Sequence, residues 1–168
     1  ISKAADLAAS KGMFVTVSAG NEGSGTWFRI TAPSDADSVL CVGAVDSLGN
    51  LAGFSSRGPS YDGRVKPNTV ARGYKAYLAG PTGTLGFANG TSFSCPITAG
   101  AVACLWQAEK NKTNMELLHA IEESASQYLT PDSLKGYGIP NFCKAKDILT
   151  GISNYSALEN ALTVYPNP

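Results

Sequence analysis

Two short apolar runs, at 13–17 and 39–45, restrict the fold of this chain more than any other feature. Both are rich in β-branched residues, are bounded by turn-forming residues, and are apolar at consecutive rather than alternate positions. A strand with that pattern is buried on both faces, as in parallel sheets covered by helices. Helical composition precedes the first run, where ISKAADLAASKG ends in Lys11 and Gly12, a cationic last turn and a terminating glycine. The alternation predicts an α/β fold with a mainly parallel sheet. Only Ser2 offers that helix a start signal, so the helix is expected to begin at or before Ile1 and the chain to be a segment of a longer one.

Beyond the second run the pattern loosens. Turn signals at Leu48-Gly49-Asn50, Arg57-Gly58-Pro59 and Gly80-Pro81-Thr82-Gly83 predict short strands and loops over 47–90. The segment 96–107, PITAGAVACLWQ, is apolar all round, which predicts a helix buried on every side. Proline is tolerated in a first helical turn, so that helix should begin within 91–95. Thr113 and Glu116 have capping-box spacing before Leu117, Leu118 and Ile121, which predicts an amphipathic helix. A turn at 136–140 and a last short helix over 141–149 follow, and 151–168 reads as a linker after a domain spanning 1–150.

Thirteen basic and thirteen acidic residues balance, so the chain has no electrostatic case for nucleic acid. Its longest apolar run, 99–106, falls far short of the roughly 20 residues a membrane span needs. Cys41, Cys95, Cys104 and Cys143 show no paired metal-ligand spacing and could form two disulfides in an exported protein. Cys41 and Cys104 lie in apolar patterns and are expected to be small buried hydrophobes.

Chemistry concentrates at two places. Gly90-Thr91-Ser92-Phe93-Ser94-Cys95-Pro96 puts a serine where a helix starts, and the free N–H groups and dipole there favour developing negative charge. Ser92 is a candidate nucleophile, although Thr91 or Ser92 would equally serve as a plain N-cap. The nucleophile elbow of α/β-hydrolases is excluded because Ser94 stands where it needs glycine, and a phosphate-binding loop because Gly90 stands where it needs lysine. The second place, Ser18-Ala19-Gly20-Asn21-Glu22-Gly23, follows a predicted parallel strand at the sheet edge where such folds bind ligands. The Asn21 amide can donate to an oxyanion, though asparagine beside glycine is also an ordinary turn residue.

Taken together, FVTVSAGNEG at 14–23, Ala32-Pro33, the VGAV…FSSRGP stretch within 42–59, GTSFSCPITAG at 90–100 and Gly136-Tyr137-Gly138 resemble the subtilisin-like serine proteases in order and spacing. The resemblance covers about residues 4–147 and implies the C-terminal half of a three-layer αβα catalytic domain. It implies Ser92 as nucleophile, Asn21 and the Ser92 N–H as oxyanion donors, and Ser18, Ala19, Gly20 and Thr91 as substrate-binding residues. The substrate would be a peptide or protein.

The family's triad also needs a histidine and an aspartate upstream of the oxyanion asparagine, and this chain has no DTG, DSG or HGTH. Its one histidine, His119, shares a helical face with Glu116, Glu122 and Glu123 that is expected to be solvated. The triad would then be completed by an upstream segment of the same precursor; the rival reading is a non-catalytic module that binds peptides or partners. Asn68 and Arg72 depart from the family's KPDVxAPG, and an amide is a poorer calcium ligand than a carboxylate, so no cofactor is expected and calcium stays open. The tail's Tyr165-Pro166-Asn167-Pro168 resembles the entry to a type IX secretion sorting domain, which implies secretion or display at the cell surface.

Overall fold

The computed structural model describes residues 1–151. Helix α1 (Ser2–Ser10) leads through Gly12 into strand β1 (Thr16–Ser18). Strands β2 (Leu40–Val45) and β3 (Thr69–Arg72) complete a parallel sheet of order β1-β2-β3, with Thr16 opposite Leu40 and Val42 opposite Thr69. The antiparallel hairpin β4 (Ala76–Ala79) and β5 (Leu85–Ala88) then runs into α2 (Thr91–Ala108). Helices α3 (Asn114–Ser124) and α4 (Phe142–Thr150) follow. The expected linker and sorting-domain motif at 152–168 lie outside the described residues.

The α/β expectation holds, and every residue of β2 is buried. Its alternate side chains serve two faces, as the period of two requires. Leu40 and Val42 pack with Val102 and Leu105 of α2, Leu117 and Ile121 of α3, and Ala145 and Leu149 of α4. Cys41 points the other way into a second cluster with Ala19 and Ile30, and burial pushes its thiol up to about 12. Removing a leucine or isoleucine side chain from water contributes about 1.5–3 kcal/mol, so this double-sided burial holds β2 at the centre.

Four local expectations need correction. The first strand lies at Thr16–Ser18, later than the apolar run, because pairing with β2 rather than apolar content defines it. The first crossover between parallel strands, 19–39, contains no α-helix and is a long loop, whereas the second, 46–68, is the run of loops that its turn signals predict. Helix α2 starts at Thr91, so Pro96 lies beyond its first turn, and buried Ser94, Thr98, Val102 and Leu105 mark one stripe only. Pro96, Ile97, Gly100 and Cys104 face outward, so neither all-round burial of the helix nor burial of Cys104 is found. All four cysteines are free.

Glu122 is the fourth correction. His119 and Glu123 are exposed as expected, but Glu122 is only 9% exposed. Its Oε1 accepts from Asn68 Nδ2 at 2.6 Å, while Asn68 Oδ1 accepts from Lys66 Nζ at 2.9 Å and from the Cys41 N–H at 2.7 Å. Lys66 Nζ also donates to the Val39 carbonyl, and the Asn68 carbonyl accepts from the Tyr137 N–H. One amide thus joins a buried ammonium, a buried carboxylate, two strands, α3 and the 136–138 turn. Sequence periodicity put Glu122 on the wet face because nothing local to α3 reveals Asn68 beneath it.

Removing that amide strands two buried charges, so Asn68→Ala should cost about 2–4 kcal/mol of unfolding free energy. Burial raises the Glu122 carboxyl and lowers the Lys66 ammonium. The folded chain therefore holds the Glu122 proton more tightly than the unfolded chain, a contribution present below the ordinary value of 4.5 and lost as pH rises through the raised one. Glu122→Gln keeps the acceptor and removes the titration, so its stability relative to the parent should improve with rising pH. Urea unfolding across that range would show this, and a pH-independent difference would contradict it.

Candidate active site

In a parallel sheet all strands end at one edge, and here the helix that follows the hairpin begins at that same edge. After Ser18 the chain turns at Gly20, whose φ of +104° and closeness to Ser56 leave no room for a Cβ. Three contacts with the second crossover fix the loop. The Ser56 N–H donates to the Gly20 carbonyl, the Glu22 N–H donates to Ser56 Oγ, and the Gly23 N–H donates to the Phe54 carbonyl. The sequence carried a signal for these supports in Phe54-Ser55-Ser56, but nothing in it assigned them a role.

Asn21 ends this turn exposed, beside the start of α2. Its Oδ1 accepts from the Thr91 N–H at 2.9 Å and from Thr91 Oγ1 at 3.1 Å. Because a backbone N–H can only donate, this pairing fixes which end of the amide is oxygen and leaves Nδ2 as a donor without a partner among the described residues. Thr91 Oγ1 in turn accepts from the Gly20 N–H at 3.2 Å. Thr91 therefore rivets the end of β1 to the first residue of α2.

Gly90 makes the approach possible. At φ +153° and ψ 150° it adopts a backbone that side-chain-bearing residues rarely take, and Asn21 Nδ2 lies in ordinary contact beside it. Its N–H donates to the Gly73 carbonyl, while the Asn89 side chain accepts from the Lys75 N–H. The turn is tied to the end of β3 as Asn21 ties it to β1.

Four N–H groups at a helix start lack intrahelical partners. The Thr91 N–H goes to Asn21 and the Phe93 N–H folds back to the Gly90 carbonyl. The Ser92 N–H has no such partner among the described residues, and it stands in the positive end of an 18-residue helix. Ser92 itself is exposed. An exposed hydroxyl, a free backbone N–H and a pinned amide thus meet at one helix terminus, an arrangement suited to nucleophilic attack and to holding the oxyanion that results.

The other predicted site residues divide. Ser18 and Gly20 are half-buried at the strand end. Ala19 is wholly buried in the cluster with Ile30 and Cys41, so its side chain faces the core. Thr91 is 1% exposed, with its hydroxyl engaged by Asn21 and Gly20. His119 lies on α3 with 70% of its side chain exposed, its Nδ1 3.6 Å from Glu122. Among the described residues no group of three or more His, Cys, Asp or Glu side chains stands close enough to hold a metal ion. Asp62 and Asp37 are paired by the Arg64 guanidinium, which also donates to the Asp35 carbonyl.

A sequence profile of the subtilase family matches residues 1–138. The chain belongs to the subtilase family. It is 36% identical over 137 residues to subtilisin of Bacillus pumilus, covering 81% of this chain and 47% of that protein. Subtilisin E of Bacillus subtilis (strain 168) gives the same identity over the same length, with 34% of the relative covered. Among solved structures, the self-cleaved protease domain of PatA superposes with a TM-score of 0.73 at 26% identity, over 89% of this chain and 55% of that one. The prenylagaramide maturation protease PagA gives 0.74 at 27%, over 89% and 55%. This subtilase chain spans half or less of the length of those two subtilisins.

The rivet has a measurable consequence. In a protein whose catalysis runs through this site, Thr91→Val, which removes the hydroxyl that holds Asn21 and Gly20, should lower kcat about tenfold with little change in KM, because misplacement of a donor weakens transition-state binding. Thr91→Ser, which restores the hydroxyl, should recover most of the loss. A fall confined to KM would instead place Thr91 in contact with substrate.

Proposed function

We propose that this subtilase segment carries the nucleophile and oxyanion donors of a secreted or surface-displayed serine endopeptidase, and that an upstream segment of the same precursor supplies the histidine and aspartate. The observation that carries the reading is the Asn21 amide, pinned through Oδ1 to the Thr91 N–H, beside the free N–H of exposed Ser92. Ser92 Oγ would attack the scissile carbonyl as the upstream histidine takes its proton, and Asn21 Nδ2 with the Ser92 N–H would hold the oxyanion. The histidine would return the proton to the leaving amine, and water would then release the acyl group from Ser92. The half-buried strand end about Ser18 and Gly20 would line the acyl side of the substrate. Pro96, four residues after Ser92, has no N–H to offer the Ser92 carbonyl, which leaves the first turn less tightly bonded there.

Subtilisin relatives and the Tyr165-Pro166-Asn167-Pro168 tail support export, the latter through a type IX sorting domain. No cofactor is needed by this chemistry, and with Asn68 Oδ1 already facing the Lys66 ammonium, a calcium ion at that position would meet a like charge.

A fluorophosphonate, which tags only an activated serine, tests the reading. The complete protein should gain one tag at Ser92, and Ser92→Ala should lose both tag and peptide hydrolysis. Asn21→Ala should lower kcat about a hundredfold to a thousandfold with KM little changed, a magnitude borrowed from the equivalent asparagine of subtilisin itself. Peptide binding without tagging would establish the non-catalytic module in its place.

A further inference from the structure

We propose that Arg29 and Arg57 form a site for an acidic side chain of the peptide substrate, an inference that rests on the endopeptidase reading. The two residues stand in register across a parallel bridge, where the Arg57 N–H donates to the Phe28 carbonyl and the Ile30 N–H to the Arg57 carbonyl. Residues in register project to the same side, so two arginine side chains leave the backbone together. Like charges set opposite each other are destabilising, and neither guanidinium has a carboxylate within salt-bridge distance among the described residues. Arg57 Nε is moreover buried without a hydrogen-bond partner among them. A carboxylate held by the pair would offset the repulsion and satisfy that donor at once.

Arg29 lines an open cleft of about 540 Å³ between the two crossovers, together with exposed Trp27 and Tyr61. Its guanidinium lies 5.0 Å from the centre of the Phe28 ring. Phe28 has a φ of +37°, rare for a bulky residue, and the Arg29 N–H folds back to the Trp27 carbonyl. Strain of this kind persists only where the surroundings hold it, and here both residues flanking Phe28 line the cleft. The nearby acids are otherwise engaged. Asp35, the acid that lines the cleft, accepts from the Ser2 hydroxyl at 2.6 Å, and Asp37 and Asp62 are held by Arg64. The cationic pair thus lacks a counter-ion within the described residues.

One residue couples the pair to the candidate site. Ser56, the neighbour of Arg57, accepts from the Glu22 N–H and donates its own N–H to the Gly20 carbonyl, so Arg57 stands beside the turn that carries Asn21. Ser18 and Gly20 belong to the acyl side in the proposed reaction, and the bridge lies farther along the same loop. A carboxylate belonging to the folded interior would enclose Arg29, whereas Arg29 is exposed, as a site for an exchanging ligand must be. Aspartate or glutamate matches the fork of a guanidinium, and Trp27 and Tyr61 offer apolar faces to the residues beside it.

Binding to the complete protein carrying Ser92→Ala, which lacks the proposed nucleophile, tests the site apart from the chemistry. Peptides that differ only by glutamate or glutamine, placed at successive positions on the acyl side of a cleavable bond, are compared by fluorescence anisotropy. The best-placed glutamate should bind about tenfold more tightly than its glutamine counterpart at low salt, and the advantage should shrink at high salt. Arg29→Gln, at an exposed position, should remove most of that advantage without lowering Tm, and Arg57→Gln should also reduce it. Equal binding, or none, across every glutamate and glutamine pair overturns the inference, as does an advantage that survives Arg29→Gln. A fall in Tm on Arg57→Gln with the glutamate advantage intact overturns it in favour of a carboxylate of the upstream segment. A glutamate advantage that Arg29→Gln removes, without hydrolysis by the protein that retains Ser92, keeps the site and removes the endopeptidase reading, so the two fail separately.

Discussion

The bond from the Thr91 N–H to Asn21 Oδ1 is the contact on which the candidate site depends. Strand β1 and helix α2 are separated by some seventy residues and reach the same sheet edge by different routes. Parallel topology brings them near each other, but only near. A single amide sets the remaining distance and also decides its own orientation, since the oxygen is held and the nitrogen is left over. Structure and chemistry are not separate properties of Asn21: what fastens the strand to the helix also presents the donor.

Around that bond the supports are arranged in rings. Thr91 Oγ1 reaches the Gly20 N–H, Ser56 holds both Gly20 and Glu22, and Gly73 holds Gly90. These come from both helix-free crossovers and from the end of β3. Loops of this length inside a compact domain would ordinarily be unusual. Here they are ordered because buried hydroxyls such as Ser55, which accepts the Ala44 N–H, stand where a shorter loop would have used backbone pairing. Farther away, the Lys66, Asn68 and Glu122 network fastens α3 and the 136–138 turn to the base of the same strands.

Much of this was legible in the sequence, and the limits have physical causes. Consecutive apolar residues at 39–45 revealed β2 because both of its faces are buried, and Thr113 with Glu116 revealed the start of α3 because a capping box is local. Ser92 and Asn21 stood out because helix-start chemistry and a strand-end turn are local too. What escaped was long-range. The bonds that engage Thr91 escaped because Gly20 lies 71 residues away, and Glu122 read as solvated because its partner is 54 residues distant. The helix-free crossover at 19–39 escaped because its order rests on side-chain hydroxyls, which leave no periodic trace.

Helix α2 is the case in which periodicity and structure disagree without either being in error. Its sequence has the pattern of a helix enclosed on every side, while the described residues enclose only the stripe from Thr91 to Leu105. Burial patterns in a sequence are selected in the complete folded protein, so they record neighbours whether or not those neighbours are in view. The stripe that points inward is explained by β1, β2 and β3 beneath it. The uncharged row from Ser92 to Cys104 has no such explanation within residues 1–151, and exposed apolar surface of that kind marks a contact. The excess of apolar character on α2 therefore lies on the exposed row that begins at Ser92, at the candidate site.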